Sequence, residues 1–408
     1  MAIADEPVAN AGTAADTEDD EDDEAAGTVT PERARGLRQF AKRAFMVLAP
    51  VHLYVGWSLV PDLPVDYPFR VAGGFVLAAS LVVLPMATVA KIYLASQTAM
   101  DRLIWGAYLI LGWFSSLLIL VLIRDVVLFI PGAAAWTPES AAVVLALSIL
   151  VTIIGLVNAR RVARVVHVDI PLAGLPPALD GFTIAQISDV HVGSTIKGGY
   201  VRRIVERVNA LDADVIAITG DVVDGSVAQL ALETAPFAEL RARHGAYVVT
   251  GNHEYYAGAE AWIEEFRRLG LRTLMNEHVV VDHDGADLVV AGVNDYSAIQ
   301  RHPEIGSDPK AAVAGAPEGA PKILLAHQPR SAAAAAAAGI DLQLSGHTHG
   351  GQFWPWNHFV RMQQPYTAGL HRLDGLWVYT SRGTGYWGPP KRFGAPSEIT
   401  LLRLTPAD

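Results

Sequence analysis

Cysteine is absent from the 408 residues. No disulfide, no thiol nucleophile and no cysteine-bound zinc finger is therefore available, and any metal must be held by nitrogen and oxygen. Basic charge is missing from the first 31 residues, where ten acids (Asp5, Glu6, Asp16, Glu18, Asp19, Asp20, Glu21, Asp22, Asp23 and Glu24) meet no Lys or Arg. The formal charge of the whole chain is −11, so this segment carries all but −1 of it. A stretch of Asp, Glu, Ala and Thr cannot bury enough apolar surface to fold, and a solvated disordered tail is expected over residues 1–36. The nearly neutral body lacks the strongly basic face that nucleic acid requires, so no nucleic-acid partner is expected. Charge is scarce overall, at 18% against 51% hydrophobic residues, with a mean hydropathy of +0.28. A wholly soluble chain rarely has this composition, which predicts a membrane portion beside a globular one.

Four apolar runs follow the tail, at residues 45–60, 71–90, 103–130 and 141–157. A spanning helix needs about 20 mostly apolar residues. The second and third runs qualify outright and the fourth does with its flanks. The first is interrupted by Pro50 and His52 and is the weakest. The four runs predict an all-α membrane domain of about four helices over residues 37–164. Arg33, Arg35, Arg38, Lys42 and Arg43 precede the first run, Lys91 and Arg102 flank the link between the second and third, and Arg160, Arg161 and Arg164 follow the fourth. The other two links are poor in basic residues. This alternation places both termini in the cytoplasm. Arg124 and Asp125, inside the third run, are expected to pair with other helices or snorkel to the interface. The acidic amino end does not resemble a cleavable secretory signal.

Beyond about Val165, short β-rich runs alternate with helical stretches. Strands are expected at residues 182–188, 215–219, 247–250, 274–282, 288–293, 323–326, 342–345, 377–380 and 399–404. Helices are expected at 200–211, 227–241, 262–269 and 331–338. This order predicts an α/β domain over residues 165–408, a sandwich of two mixed sheets with helices outside.

The residues that carry chemistry fall just after predicted strands, where open α/β sheets place their sites. Asp189-Val190-His191 follows one strand, and Gly220-Asp221-Val222-Val223-Asp224 the next. Gly251-Asn252-His253-Glu254 follows a third, and His327 a fourth. Gly346-His347-Thr348-His349-Gly350-Gly351-Gln352 follows a fifth. Two histidines only two apart cannot share a helical face, because helical neighbours are three or four apart. An extended turn can aim both rings at neighbouring points, and the flanking glycines leave room for a substrate. Any one motif could be a satisfied polar turn. Five of them in one domain, all oxygen and imidazole donors, point to a metal centre.

The order DxH, GDxxD, GNHE, H, GHTH resembles the calcineurin-like metallophosphoesterase superfamily. The GHTHGGQ form, the membrane-anchored amino half and the later Ser381-Arg382-Gly383-Thr384-Gly385 turn resemble its membrane-associated branch. The resemblance implies a two-sheet metallophosphoesterase sandwich and two divalent ions, with Mn, Fe or Zn suited to the donor set. It implies that Asp189, His191 and His349 hold one ion, that Asn252, His327 and His347 hold the other, and that Asp221 bridges them. A metal-bridging hydroxide would attack a phosphomonoester or phosphodiester in line. His253 would protonate the leaving oxygen, held by Asp224. Glu254 is a weaker candidate for a supporting role. His167, His244, His278, His283, His302, His358 and His371 match no motif.

Two readings stay open on the sequence. One is a membrane-anchored phosphoesterase. The other is a membrane sensor or scaffold whose phosphoesterase-like domain is inactive. A transporter would rest on the four runs alone. Phe353-Trp354-Pro355-Trp356 and Tyr386-Trp387 are expected beside the metal site as an aromatic lip at the membrane interface. Such a lip would admit a lipid-linked phosphoester.

Overall fold

The computed structural model of the chain describes residues 31–94, 96–300 and 305–407. The acidic run expected to be disordered lies outside the described residues up to position 30; residues 31–36 already belong to the first helix. Among the described residues, four helices are long and apolar enough to cross a membrane. These are α1 (Pro31–Leu59), α2 (Tyr67–Thr88), α3 (Gln97–Leu128) and α4 (Thr137–Arg160). They pack through Val55, Leu59, Leu77, Phe114, Leu117, Val121 and Val144. Their outer faces carry exposed apolar residues such as Trp57, Phe75, Val126, Ile153 and Ile154, as a lipid-facing surface requires.

The charged pair in α3 is absorbed into this bundle. Arg124 is buried and pairs with Asp62, the Ser140 hydroxyl (2.9 Å) and the carbonyls of Ser58 and Thr137 (3.2 Å each). Asp125 accepts from Tyr54 at 2.7 Å and from Ser58. Interhelical pairing, and not snorkelling alone, thus satisfies both charges.

Among the described residues the remainder is built on twelve strands: β1 (Arg164–Leu172), β2 (Thr183–Ile187), β3 (Val215–Thr219), β4 (Ala246–Val249), β5 (Arg272–Thr273), β6 (Glu277–His283), β7 (Ala286–Gly292), β8 (Lys322–Leu325), β9 (Leu342–Ser345), β10 (Gly369–Leu373), β11 (Leu376–Thr380) and β12 (Glu398–Pro406). They form two six-stranded mixed sheets, ordered β1-β12-β2-β3-β4-β5 and β10-β11-β9-β8-β7-β6. Within them β2, β3, β4 and β5 run parallel, as do β7, β8, β9 and β11.

Side-chain alternation explains the stacking. Ile184, Val215, Ala217, Val249, Val290, Ile323, Leu325, Leu342 and Leu344 fill the space between the sheets. Their neighbours Ala185, Ile187, Ile216 and Ile218 point outward onto helices through Tyr200, Ile204, Trp262 and Phe266. Both faces are covered, so these strands read as continuous apolar runs. The covering helices are α5 (Gly198–Asn209), α6 (Val227–Thr234), α7 (Asn252–Ala257), α8 (Ala259–Arg268) and α9 (Ala332–Ala337).

Several boundaries differ from those read in the sequence. The helix expected over 227–241 is α-helical only to Thr234 and continues as a 3-10 turn over Ala235–Glu239. Pro236 lacks the amide that another α-turn needs. β1, the two-residue β5 and β10 had no strand assigned. Each runs along the edge of its sheet, and His167, Asp169 and Pro171 break the apolar pattern of β1.

Candidate metal centre

Every expected site residue lies beyond the carboxyl end of a parallel strand. Asp189 and His191 follow β2, Asp221 and Asp224 follow β3, and Asn252 and His253 open α7 after β4. From the second sheet come His327 after β8, then His347 and His349 after β9. The structure brings all nine into one locus. Ligand-capable atoms of Asp189, His191 and His349 lie within 4.8 Å of one another, as do those of Asp221, His327 and His347, and those of His191, Asp221 and His253.

Local backbone geometry makes this convergence possible. Asp189, His191, Asp221, His347 and His349 all adopt positive φ, between 50° and 69°. Residues with side chains seldom do so, and such strain concentrates at functional sites. Close approach of the loops needs bare backbone. A Cβ on Gly346 would collide with Ser188 and Asp189. Glu254 is fully buried and accepts from the amides of Gly251 (2.6 Å), Val222 (2.7 Å), Asp221 (3.0 Å) and Val223 (3.2 Å), so one carboxylate ties the loops after β3 and β4 together. Asp189 accepts from the His347 amide at 2.9 and 3.1 Å, which joins the two sheets.

Hydrogen bonds also fix the imidazoles. Nδ1 of His327 lies 2.8 Å from the Thr219 carbonyl and must donate to it. Its Nε2 turns the other way and lies 3.2 Å from Asp221 Oδ2. Nδ1 of His191 and Nδ1 of His253 each lie 2.7 Å from Asp224 Oδ1. A single carboxylate oxygen thus orients a candidate ligand and the candidate acid. Nε2 of His191 then faces Nε2 of His349 across 3.0 Å.

Charge follows this arrangement. Burial opposes ionisation of Asp224, but the two imidazoles outweigh it and hold the carboxyl down at about 2. Burial likewise opposes the His253 imidazolium. The bond to Asp224 and the charges of Asp221 and Asp224 overcome that and lift it to about 9.

The donor set fits divalent ions. Asn252 Oδ1 is buried and has no hydrogen-bond partner among the described residues. An orphaned amide oxygen is costly unless something electropositive meets it. Asn252 stands beside three clusters of nitrogen and oxygen donors, with no sulfur, a set suited to Mn, Fe or Zn.

The aromatic lip is only partly as expected. Trp387 is exposed and stands edge-on to His253, with ring centroids 5.9 Å apart. Trp356 is exposed, and its Nε1 donates to Ser115 on α3 at 2.9 Å. Trp354 is half-buried. Phe353 and Tyr386 are buried and belong to the core; the Tyr386 hydroxyl donates to the Thr195 carbonyl at 3.2 Å and accepts from Arg160 at 3.1 Å. Two further rings were not singled out from the sequence. Tyr256 lies against His253 with centroids 5.4 Å apart. Tyr108, on α3, is within electrostatic reach of Asp224. Neither sits in a motif, and only the fold brings α3 to the site.

Residues 182–351 match the family model of the calcineurin-like phosphoesterases. A transmembrane protein with metallophosphoesterase domain from Danio rerio is 38% identical over 271 residues, which cover 64% of this chain and 62% of that protein. An uncharacterized metallophosphoesterase of Helicobacter pylori is 40% identical over 225 residues, covering 55% of this chain and 60% of its own. Another, from Aquifex aeolicus, is 31% identical over 223 residues, covering 54% and 84%. The chain thus spans less than two thirds of the length of the first two.

Proposed function

Since the chain belongs to the calcineurin-like phosphoesterase family, we propose that it is a multi-pass membrane enzyme that hydrolyses phosphoesters at a two-metal centre. The observation that carries this reading is the convergence of Asp189, His191, His349, Asp221, His327 and His347 beside the unpartnered Oδ1 of Asn252. In this reading Asp189, His191 and His349 would hold one ion, Asn252, His327 and His347 would hold the second, and Asp221 would serve both. Two such ions supply an activated water at neutral pH and neutralise charge on the phosphoryl oxygens.

The chain's own groups do the rest. Asp224 fixes the His191 ring so that Nε2 is free to ligate. It fixes the His253 ring the same way, leaving Nε2 to face the reacting phosphate, 4.0 Å from Asp221 Oδ2. The His253 Nε2 proton goes to the departing alkoxide, and Asp224 stabilises the imidazolium before transfer. Trp387 and Tyr256 flank this histidine, with ring centroids 5.9 and 5.4 Å from its own.

A lipid-linked phosphoester is the substrate class that the surroundings favour. α3 has 32 residues, a length of ~48 Å against a hydrocarbon core of ~30 Å. Its amino-terminal part therefore extends beyond the bilayer along the catalytic domain, where Asp101 pairs with Lys197 at 2.8 Å. Trp356, Phe359, Met362 and Trp387 are exposed, and Trp356 donates to Ser115 on α3, a composition suited to the membrane–water boundary. Arg160, Arg161 and Arg164 favour a cytoplasmic catalytic domain.

The direct test uses the full chain purified in detergent. With Mn²⁺ it should hydrolyse an aryl phosphate or an aryl phosphodiester, and a chelator should abolish turnover. No turnover of either ester across Mn²⁺, Fe²⁺ and Zn²⁺ would favour the inactive sensor or scaffold instead.

A further inference from the structure

Lys391 and Arg392 are adjacent, just before β12, and their side chains face opposite ways. Lys391 is 1% exposed, and its ammonium leaves the catalytic domain altogether. Nζ donates to the Gly112 carbonyl at 2.7 Å and to Ser116 Oγ at 2.5 Å on α3, and lies 3.4 Å from Thr152 Oγ1 on α4. Its stem lies in a groove that two glycines leave open. A Cβ on Gly155 would sit 2.6 Å from Lys391 Cγ, and one on Gly112 would sit 3.2 Å from Pro389 Cβ. The backbone is seated on the same helix. The Arg392 amide donates to the Gly155 carbonyl at 2.9 Å, and Asn158 Nδ2 donates to the Arg392 carbonyl at 3.2 Å.

The Arg392 side chain is fully buried and points to the metal centre. Nη1 donates to the carbonyl of His349 at 2.8 Å and to that of Arg382 at 2.7 Å, and Nε donates to Gly385 at 3.1 Å. Nη2 lies 3.0 Å from Nδ1 of the His349 ring. Among the described residues the hydrogen-bond acceptors of Lys391 are a carbonyl and two hydroxyls, with no carboxylate among them. A buried ammonium so provided for is poor value for stability, since an apolar side chain of like volume would fill the groove without desolvation. A positioning role accounts for it better.

We propose that Lys391 and Arg392 form a strut through which the membrane bundle positions His349, so that the seating of the catalytic domain on α3 and α4 sets the metal site that His349 serves. This rests on the two-metal reading above. Neither residue is assigned as a ligand, so both are positioning residues.

The test is Mn²⁺ titration of the full chain in detergent, with melting temperature measured in parallel. Gly155→Ala perturbs the strut from the membrane side, and Lys391→Met removes its anchor while keeping a stem. Gly106→Ala, at a position on α3 with open space around it, is the control. Both strut variants should weaken one of the two Mn²⁺ equivalents by about tenfold or more, as loss of a group orienting a ligand does. They should leave the other equivalent as in the parent; Lys391→Met should also keep the parent's melting temperature, Gly155→Ala should lower it through overpacking, and Gly106→Ala should change neither affinity nor melting temperature. Wild-type affinity at both equivalents in both variants would overturn the strut. Equal weakening of both sites with a lowered melting temperature would also overturn it, showing an ordinary structural plug. If the parent chain binds no Mn²⁺, the two-metal reading itself falls, whereas a parent that binds two ions beside unaffected variants refutes the strut alone.

Discussion

Gly251→Ala is the sharpest probe of how the two central loops meet. Gly251 has φ −102°, a backbone conformation open to alanine, so any cost is steric and not conformational. The added Cβ would lie 2.5 Å from the Asp221 amide nitrogen and 2.9 Å from Asp221 Cγ, where 3.4 Å is the lower edge of ordinary contact. Relief requires the loops after β3 and β4 to part by on the order of 1 Å, and a displacement of that size near reacting groups costs about 100-fold in rate. The same movement pulls Asp221 from the amide of His253, now 3.0 Å from Oδ1, and from Glu254, 3.0 Å from its own amide. Overpacking of this kind also costs about 1–3 kcal/mol of stability. We expect Gly251→Ala to lose about 100-fold in kcat/KM on an aryl phosphodiester, and to retain less Mn²⁺ by mass spectrometry. Gly199→Ala, with open space around it on α5, should match the parent in both. A Gly251→Ala enzyme with full rate and full metal would refute the claim that Asp221 and Asn252 share one centre.

Other substitutions separate the roles of individual residues. Asp221→Asn should lose more activity than Asn252→Ala, with metal content lowered in both, because Asp221 is assigned to both ions and Asn252 to one; an Asp221→Asn enzyme with full metal and rate would contradict this. His253→Ala should keep its metals and lose more rate with poor leaving groups than with good ones, and an equal loss for both would remove the acid role. Trp356→Ala combined with Phe359→Ala should slow hydrolysis of a phospholipid-like ester in vesicles while sparing a small soluble ester; equal losses would make these rings structural. Protease added to intact cells should leave the carboxyl half uncut, and cleavage there would reverse the proposed topology.

The motifs were legible because each needs a particular residue just past a strand. Asp189, Asp221, Asn252, His327 and His347 mark those strand ends in the sequence, and the apolar runs before them mark β2, β3, β4, β8 and β9. The doubly covered strands were read with boundaries good to a residue or two, since burial on both faces leaves continuous apolar runs. What escaped lacked such a pattern. Glu254 read only as a weak candidate for a supporting role, and its four amide donors reveal that it ties two loops. Tyr386 looked like part of an exposed aromatic pair, yet the Thr195 carbonyl and Arg160 draw its hydroxyl inward and only Trp387 remains outside.

The membrane helices carried a second signal that could not be read without a partner. Ser148, Thr152 and Gly155 recur along one face of α4, and Gly112, Ser115 and Ser116 along one face of α3. In a bilayer, small residues on a helix commonly mark contact with another helix. Here part of that contact is with the catalytic domain: Trp356 reaches Ser115, and Lys391 reaches Gly112, Ser116 and Thr152. Ser148 instead receives Trp113 from α3, so the same stripe serves helix packing farther from the domain and docking near it. A bundle used only as an anchor needs no such groove, because any apolar surface holds a helix in lipid. The two glycines under one lysine therefore argue that the bundle is shaped for the domain it carries, and that the centre should be studied in the full chain.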